Sequence, residues 1–284
     1  MAAPLMKKVL CNNINIQLAI WEGQGKCVLC IHGITANCMC WDVIAQSMIP
    51  EIKVLAMDLR GRGGSDRPDS EYSIENHCRD IKALIENLDL DTVAIMGHSL
   101  GALISLAFAA WYPDLVDRIL LIDGAGALSK AQMDKVMKGL KQSLDRLGKI
   151  YPSFDDYVFQ MKKAPFLQPW PAAMDAYYRY EIEQVNGGVR SKIKPEHIIE
   201  EINNLEKINA SEFYIKINCP VLILRATDGM LSSDDILLPQ ASLNRMLEEI
   251  ANAKSVDLKG TNHYSIIFQP NNIRDRIIRD FLIE

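Results

Sequence analysis

Ser99 stands in Gly97-His98-Ser99-Leu100-Gly101, a G-x-S-x-G run, and the flanks of that run decide what the serine can do. An apolar stretch, Thr92-Val93-Ala94-Ile95-Met96, precedes it and reads as a buried strand. A helix-forming stretch, Ala102 to Trp111, follows and closes at Pro113. Strand, tight turn and helix in that order hold a serine on a strained corner, where its hydroxyl can attack a carbonyl. Small residues at 97 and 101 let strand and helix approach closely. Ser99 is expected to be the nucleophile.

A serine hydroxyl is a weak nucleophile at neutral pH; it needs a base, and the base needs an orienting acid. The chain has five histidines, at 32, 77, 98, 197 and 263. His32 and His98 lie inside glycine turns, His77 on a polar helix and His197 among helices of the middle third. Only His263 follows the last core strand, in Lys259-Gly260-Thr261-Asn262-His263-Tyr264, and a loop there can carry an imidazole over Ser99. His263 is the expected base. Attack also places negative charge on the substrate carbonyl oxygen, which calls for preorganised donors. The amide of Leu100 is one candidate. The other is the amide of Ile34, in the turn His32-Gly33-Ile34-Thr35 after strand Cys27–Ile31; His32 is then a turn residue and not a second base.

The elements that must position these groups alternate. Ile14–Trp21, Cys27–Ile31, Lys53–Asp58, Arg118–Asp123, Cys219–Arg225 and Lys254–Leu258 read as strands beside the one before Ser99. Helices are expected at Trp41–Ile49, Ser73–Leu88, Asp235–Ile250 and Asn272–Leu282. Such alternation predicts an α/β fold with a doubly wound, mostly parallel sheet. Between Asp123 and Cys219 it stops: helices are expected near Lys130–Gly148, Ser153–Lys163, Ala172–Gln184 and Pro195–Lys207, and no strand. The reading is a core of residues 1–124 and 213–284 with a helical lid, 125–212, over the C-terminal strand ends where α/β sheets bind ligands. Trp170, Tyr177 and Tyr178 of that lid are candidates for lining a substrate pocket, or equally for anchoring the lid.

Of the 284 residues, 49% are hydrophobic and 24% charged, ordinary for a globular chain with a sizeable core. A net charge of −5 gives no basic field for nucleic acid. No apolar run approaches the roughly 20 residues that span a bilayer. The N-terminus lacks a signal-peptide hydrophobic region, so the cytoplasm is the expected compartment. Of seven cysteines, Cys27 and Cys30 form C-x-x-C inside a strand, where odd spacing points them to opposite faces. Neither a metal site nor a redox pair is expected. The Gly61–Ser65 run lacks a following helix N-terminus, so it is not read as a phosphate cradle.

His32-Gly33, the run Asp58-Leu59-Arg60-Gly61-Arg62-Gly63-Gly64-Ser65-Asp66, the Gly97–Gly101 turn and Gly260-Thr261-Asn262-His263 together resemble the α/β-hydrolase fold family. The nearest likeness is to its lid-bearing, cofactor-free serine esterase branch, across about two thirds of the chain. The resemblance implies hydrolysis of small, moderately apolar carboxylic esters through an acyl-enzyme, with no cofactor. It also implies an acid after the strand Pro220-Val221-Leu222-Ile223-Leu224-Arg225, but the usual place is held by Gly229, and Asp228 lies one residue short. Some relatives, haloalkane dehalogenases among them, carry the acid at the end of the strand after the nucleophile helix, which here is Asp123. Asp123 is preferred, Asp228 is the alternative, and Asp234 or Asp235 stand behind them. Lactone or C–C bond hydrolysis on the same triad, and a ligand receptor on the hydrolase scaffold, are the rival readings. A small-molecule ester substrate is the expected partner, and neither nucleic acid nor a membrane is expected.

Overall fold

Cys27-Val28-Leu29-Cys30-Ile31 and Val221-Leu222-Ile223-Leu224-Arg225-Ala226 are nearly unbroken apolar runs, the pattern of strands covered on both faces. A computed structural model describes residues 2–284, with Gln142 described by its backbone alone. The chain begins with strands β1 (Leu5–Cys11), β2 (Ile14–Trp21) and β3 (Cys27–Ile31), then helix α1 (Asp42–Met48) and strand β4 (Lys53–Met57). Helix α2 (Ile74–Asn87), strand β5 (Val93–His98), helix α3 (Leu100–Trp111) and strand β6 (Val116–Ile122) complete the first part.

Between β6 and the next core strand lie helices α4 (Lys130–Asp145), α5 (Phe154–Met161) and α6 (Ala173–Glu181), strands β7 (Ile182–Val185) and β8 (Gly188–Ser191), and helices α7 (Pro195–Leu205) and α8 (Ser211–Tyr214). The chain closes with β9 (Val221–Ala226), α9 (Gln240–Glu249), β10 (Ala253–Leu258), α10 (Ser265–Phe268) and α11 (Asn272–Ile283).

Eight strands form one sheet in the order β1-β2-β4-β3-β5-β6-β9-β10. Pairings β1–β2 and β2–β4 are antiparallel and the other five are parallel, which is the expected mostly parallel sheet. Strands β5 and β9 are buried at every position, which places the C-terminal ends of β3, β5, β6 and β9 together in the middle of the sheet. Each face has its own apolar layer, and strand alternation distributes the side chains between them. Leu29 and Ile31 pack in one layer, Val28 and Cys30 in the other. Cys27 packs against the first layer and Cys30 lies in the second, so these thiols face opposite ways as their spacing predicts. On α2, Ile74, Cys78, Ile81 and Ile85 recur at helical spacing and are all buried, and the Ser73 hydroxyl caps the helix by accepting from the Asn76 amide at 3.3 Å.

Two sequence expectations are corrected. The insertion is not purely helical: α6 stops at Glu181 and the chain reverses through the β7–β8 hairpin, with Val185 paired to Gly188 across Asn186-Gly187. Gly187 and Gly188 take φ of 92° and 138°, a conformation that a continuing helix cannot hold. Strand β1, absent from the sequence reading, lies at the sheet edge; its exposed lysines and leucines mask the alternation that a half-buried strand would show. Among the described residues no helix is long and apolar enough to cross a membrane.

Candidate active site

Ser99 occupies the turn between β5 and α3 with φ 58° and ψ −119°. A non-glycine residue in that region stores about 1–3 kcal/mol of strain, which the surrounding packing must hold. The packing is tight: a Cβ at Gly101 would lie 2.0 Å from the Ile31 carbonyl oxygen, and one at Gly97 would lie 2.1 Å from the Gly101 carbonyl oxygen. Glycine at both positions is what lets α3 start against β3 and β5. The N-terminus of α3 thereby sits directly behind the serine, with unpaired amides and the positive end of the helix dipole.

Asp123 follows the last residue of β6 and is itself held at φ 45°. Its amide donates to the Leu224 carbonyl at 2.8 Å, and its Oδ1 accepts from the Ala226 amide at 3.1 Å, so the end of β9 fixes both backbone and carboxyl. The other oxygen, Oδ2, lies 2.7 Å from His263 Nδ1. Both side chains are at least 95% buried, His263 having 5% and Asp123 1% of its side-chain surface exposed. Because the carboxylate accepts at Nδ1, the neutral imidazole carries its proton there and leaves the Nε2 lone pair for the cavity.

The acid alternatives lie elsewhere. Asp228 is exposed; its Oδ1 accepts from the Thr227 hydroxyl at 3.0 Å and its amide donates to the Thr261 carbonyl. Asp234 pairs with Lys135 at 2.5 Å, and Asp235 accepts from the Met230 and Leu231 amides, at 2.7 Å each.

His98, the residue before the serine, donates from Nε2 to the carbonyl of His263 at 2.9 Å, and the two rings stack with centroids 4.5 Å apart. Burial, and then the neighbouring His263, hold His98 far below the usual histidine pKa, so it serves as a neutral donor. It ties the serine turn to the backbone of the histidine loop.

The turn at Gly33–Ala36 is held by its carbonyls. Gly33 O accepts from His32 Nδ1 at 2.7 Å and from the Ala36 amide at 3.1 Å. Ile34 O accepts from Arg62 Nε at 3.1 Å, and Thr35 O accepts from Arg146 Nη2 at 2.8 Å. In a trans peptide the N–H points opposite to the carbonyl. Pinning these oxygens therefore aims the Ile34 and Thr35 amides the other way, and among the described residues nothing accepts from them or from the Leu100 amide. His32 Nε2 accepts from the Leu59 amide at 3.0 Å, which assigns the Nδ1–H tautomer, and burial lowers its pKa to about 3.

The two arginines on this turn belong to buried ion pairs that the sequence reading missed. Arg62 Nη2 meets Glu201 of α7 at 2.6 Å, with both side chains fully buried, and His77 Nε2 lies 3.0 Å from the same carboxylate. Burial alone would raise the Glu201 pKa, but His77 and Arg62 against the carboxylate outweigh it and lower it to about 2. Arg146, just past α4, meets Glu181 of α6 through Nε at 2.8 Å and Nη2 at 3.0 Å. A third strap joins Tyr180 to Asp58, whose carboxylate also accepts from the Cys38 and Gly64 amides.

Ser99, His98, His263 and the Gly33–Ala36 turn line a cavity of about 40 Å³ roofed by the insertion through Leu140, Arg146, Met174, Tyr177 and Tyr178. Tyr177 and Tyr178 thus line it. Trp170 does not: its ring stacks on Tyr178 at 5.9 Å and its Nε1 donates to Asp175 at 3.2 Å, so it buttresses the roof from outside. Among the described residues no three His, Cys, Asp or Glu side chains come together as a metal-ligand set.

Comparison with known proteins shows the family. An uncharacterized protein of Mycobacterium tuberculosis is 38% identical over 104 residues, a stretch that spans 37% of this chain and only 30% of that relative's length. The 2-(acetamidomethylene)succinate hydrolase of Mesorhizobium japonicum is 25% identical over 253 residues, 86% of this chain and 83% of the relative. The crystal structure of an E-2-(acetamidomethylene)succinate hydrolase superposes with a TM-score of 0.86 at 23% identity, over 99% of this chain and all of that one. A family model for the alpha/beta hydrolase fold matches residues 26–270. This chain belongs to the α/β-hydrolase fold family.

Proposed function

We propose that the protein is a serine hydrolase that cleaves carboxylic esters of small, moderately apolar substrates through an acyl-enzyme. Ser99 Oγ attacks the carbonyl carbon while His263 Nε2 takes its proton. Asp123 holds the imidazole in the required tautomer and stabilises the imidazolium. The carbonyl oxygen, now negative, accepts from the Ile34 and Leu100 amides. The imidazolium returns the proton to the leaving alkoxide, and the alcohol departs. Water then attacks the acyl-serine by the same relay, releasing the acid and restoring Ser99.

The observation that carries this reading is the 2.7 Å contact of Asp123 with His263 Nδ1, beside a serine held at φ 58° on a strand-to-helix corner. The insertion roofs Ser99 through Leu140, Arg146, Met174, Tyr177 and Tyr178 and is read as the lid. The likeness to 2-(acetamidomethylene)succinate hydrolase across most of both chains favours a second reading, in which the same relay cleaves the bond which that relative's name implies.

The test is turnover of p-nitrophenyl esters, acetate through decanoate, by wild type and Ser99→Ala. Wild-type turnover that falls by about 10⁶ in the alanine variant, with an unchanged unfolding midpoint, supports the assignment. Undiminished hydrolysis by the variant rejects it.

A further inference from the structure

We infer that the substrate is uncharged and carries a second hydrogen-bond acceptor, read by the hydroxyls of Tyr177 and Tyr178; this rests on the ester-hydrolase reading above. The cavity's polar groups divide into those already satisfied and those left open. Tyr264 and Ser143 share a hydrogen bond of 2.6 Å, so neither hydroxyl is waiting for a ligand. The hydroxyls of Tyr177 and Tyr178 have no partner among the described residues, although each residue is only 5% exposed and both line the cavity. Neither hydroxyl oxygen is sealed off by protein, and a site built to hydrogen-bond a substrate oxygen discriminates strongly against analogues that lack it. Burial raises the pKa of both phenols, which keeps them protonated and so able to donate.

The same inventory argues against an anion. Among the described residues Arg146 is the one lysine or arginine lining the cavity. Its Nε and Nη2 are engaged by Glu181, Nη2 also donates to Thr35 O and Nη1 to Ser143 O, so at most one N–H remains. Glu181, 1% exposed, already neutralises the guanidinium, and Tyr157 donates to the same carboxylate at 2.6 Å. A substrate carboxylate placed here would lose its water, gain no free cation and face the charge of Glu181; burying a charge on those terms is strongly unfavourable. A ketone, ether or amide oxygen meets no such penalty and satisfies the tyrosines. Ile34, Leu140, Met174 and Phe268 supply apolar wall for the rest of the acyl chain.

Three p-nitrophenyl esters of matched shape test this: the 4-oxopentanoate, the 4-methylpentanoate, in which a methyl group replaces the ketone oxygen, and the hemisuccinate, in which a charged oxygen replaces the ketone's methyl group. The expected order of kcat/KM is oxo, then methyl, then hemisuccinate, with oxo exceeding methyl by about tenfold or more. Tyr177→Phe and Tyr178→Phe keep the ring volume, and at least one is expected to collapse the oxo-to-methyl ratio toward unity. Equal rates on the oxo and methyl esters, or a faster hemisuccinate, overturn the inference while leaving the hydrolase reading standing. If no ester is turned over, the hydrolase reading fails and binding decides: calorimetry on Ser99→Ala with ethyl 4-oxopentanoate, ethyl 4-methylpentanoate and monoethyl succinate is expected to give the same order. Tightest binding of the succinate, or no preference, overturns the inference.

Discussion

Arg62 and Glu201 offer a way to separate what holds the fold together from what shapes the site. Their contact is 2.6 Å, both side chains have no exposed surface, and they stand 139 positions apart in the sequence. Removing either partner leaves a buried charge without its counterion, which costs about 3–5 kcal/mol, whereas replacing both by apolar residues of similar volume is often close to neutral. Arg62→Met and Glu201→Leu are therefore each expected to lose about 3–5 kcal/mol in urea unfolding, and the double variant to recover most of it. Activity should behave differently. Arg62 Nε is the donor that holds the Ile34 carbonyl, in the peptide next to the proposed oxyanion donor, and no apolar side chain replaces it. Losing an oxyanion donor outright costs about 10²–10³ in kcat, so loosening the turn that carries it should cost about tenfold or more, with little change in KM. The double variant should thus be stable yet slow. If kcat returns to the wild-type value along with stability, the guanidinium does not position the turn and the reasoning fails.

Other expectations follow from the same geometry. Asp123→Asn should lower kcat by about 10⁴ through the wrong imidazole tautomer, while Asp228→Asn should stay near wild type; a large loss at 228 in steady-state kinetics would reverse the acid assignment. Gly101→Ala drives a methyl group to 2.0 Å from a backbone oxygen and should cost more than about 3 kcal/mol, read as a lower thermal midpoint with loss of activity. His32 keeps its proton off until about pH 3 in the folded state, whereas the unfolded chain binds one near 6.5, so stability should fall as pH drops below 6.5. The slope is about 1 kcal/mol per pH unit for each such histidine. His98 acts in the same direction, and Glu201 adds to it between the ordinary glutamate value of 4.5 and about 2. Urea midpoints at pH 7.5, 6 and 5 that do not move would contradict this.

What could be read in advance was local. The serine corner announces itself within a few residues, because one strand, one turn and one helix must be encoded contiguously. The hairpin in the insertion also had a local signal, Asn186-Gly187 between two short runs, which was hidden by the helix-favouring stretch before it. Asp123 could be nominated from its place at a strand end, but choosing it over Asp228 required knowing which carboxyl the neighbouring strand turns toward the imidazole. The carbonyl clamps on the Gly33–Ala36 turn left no pattern at all. Arg146 reaches Thr35 across 111 residues and Glu181 across 35, and nothing in either neighbourhood distinguishes a clamping arginine from a solvated one.

The buried pairing of Glu201 with both Arg62 and His77 also bears on how this protein could be recombined with its relatives. Insertions in this position look like interchangeable modules, joined to the core only where the chain leaves β6 and returns to β9. Here the module carries a carboxylate whose two partners, the Arg62 guanidinium and the His77 imidazole, reside in the core, on the loop after β4 and on α2. A chimera that imports a foreign insertion without its acid would strand Arg62 in the interior, and one that exports this insertion would strand Glu201. Transplants must therefore move positions 62, 77 and 201 as one inherited set.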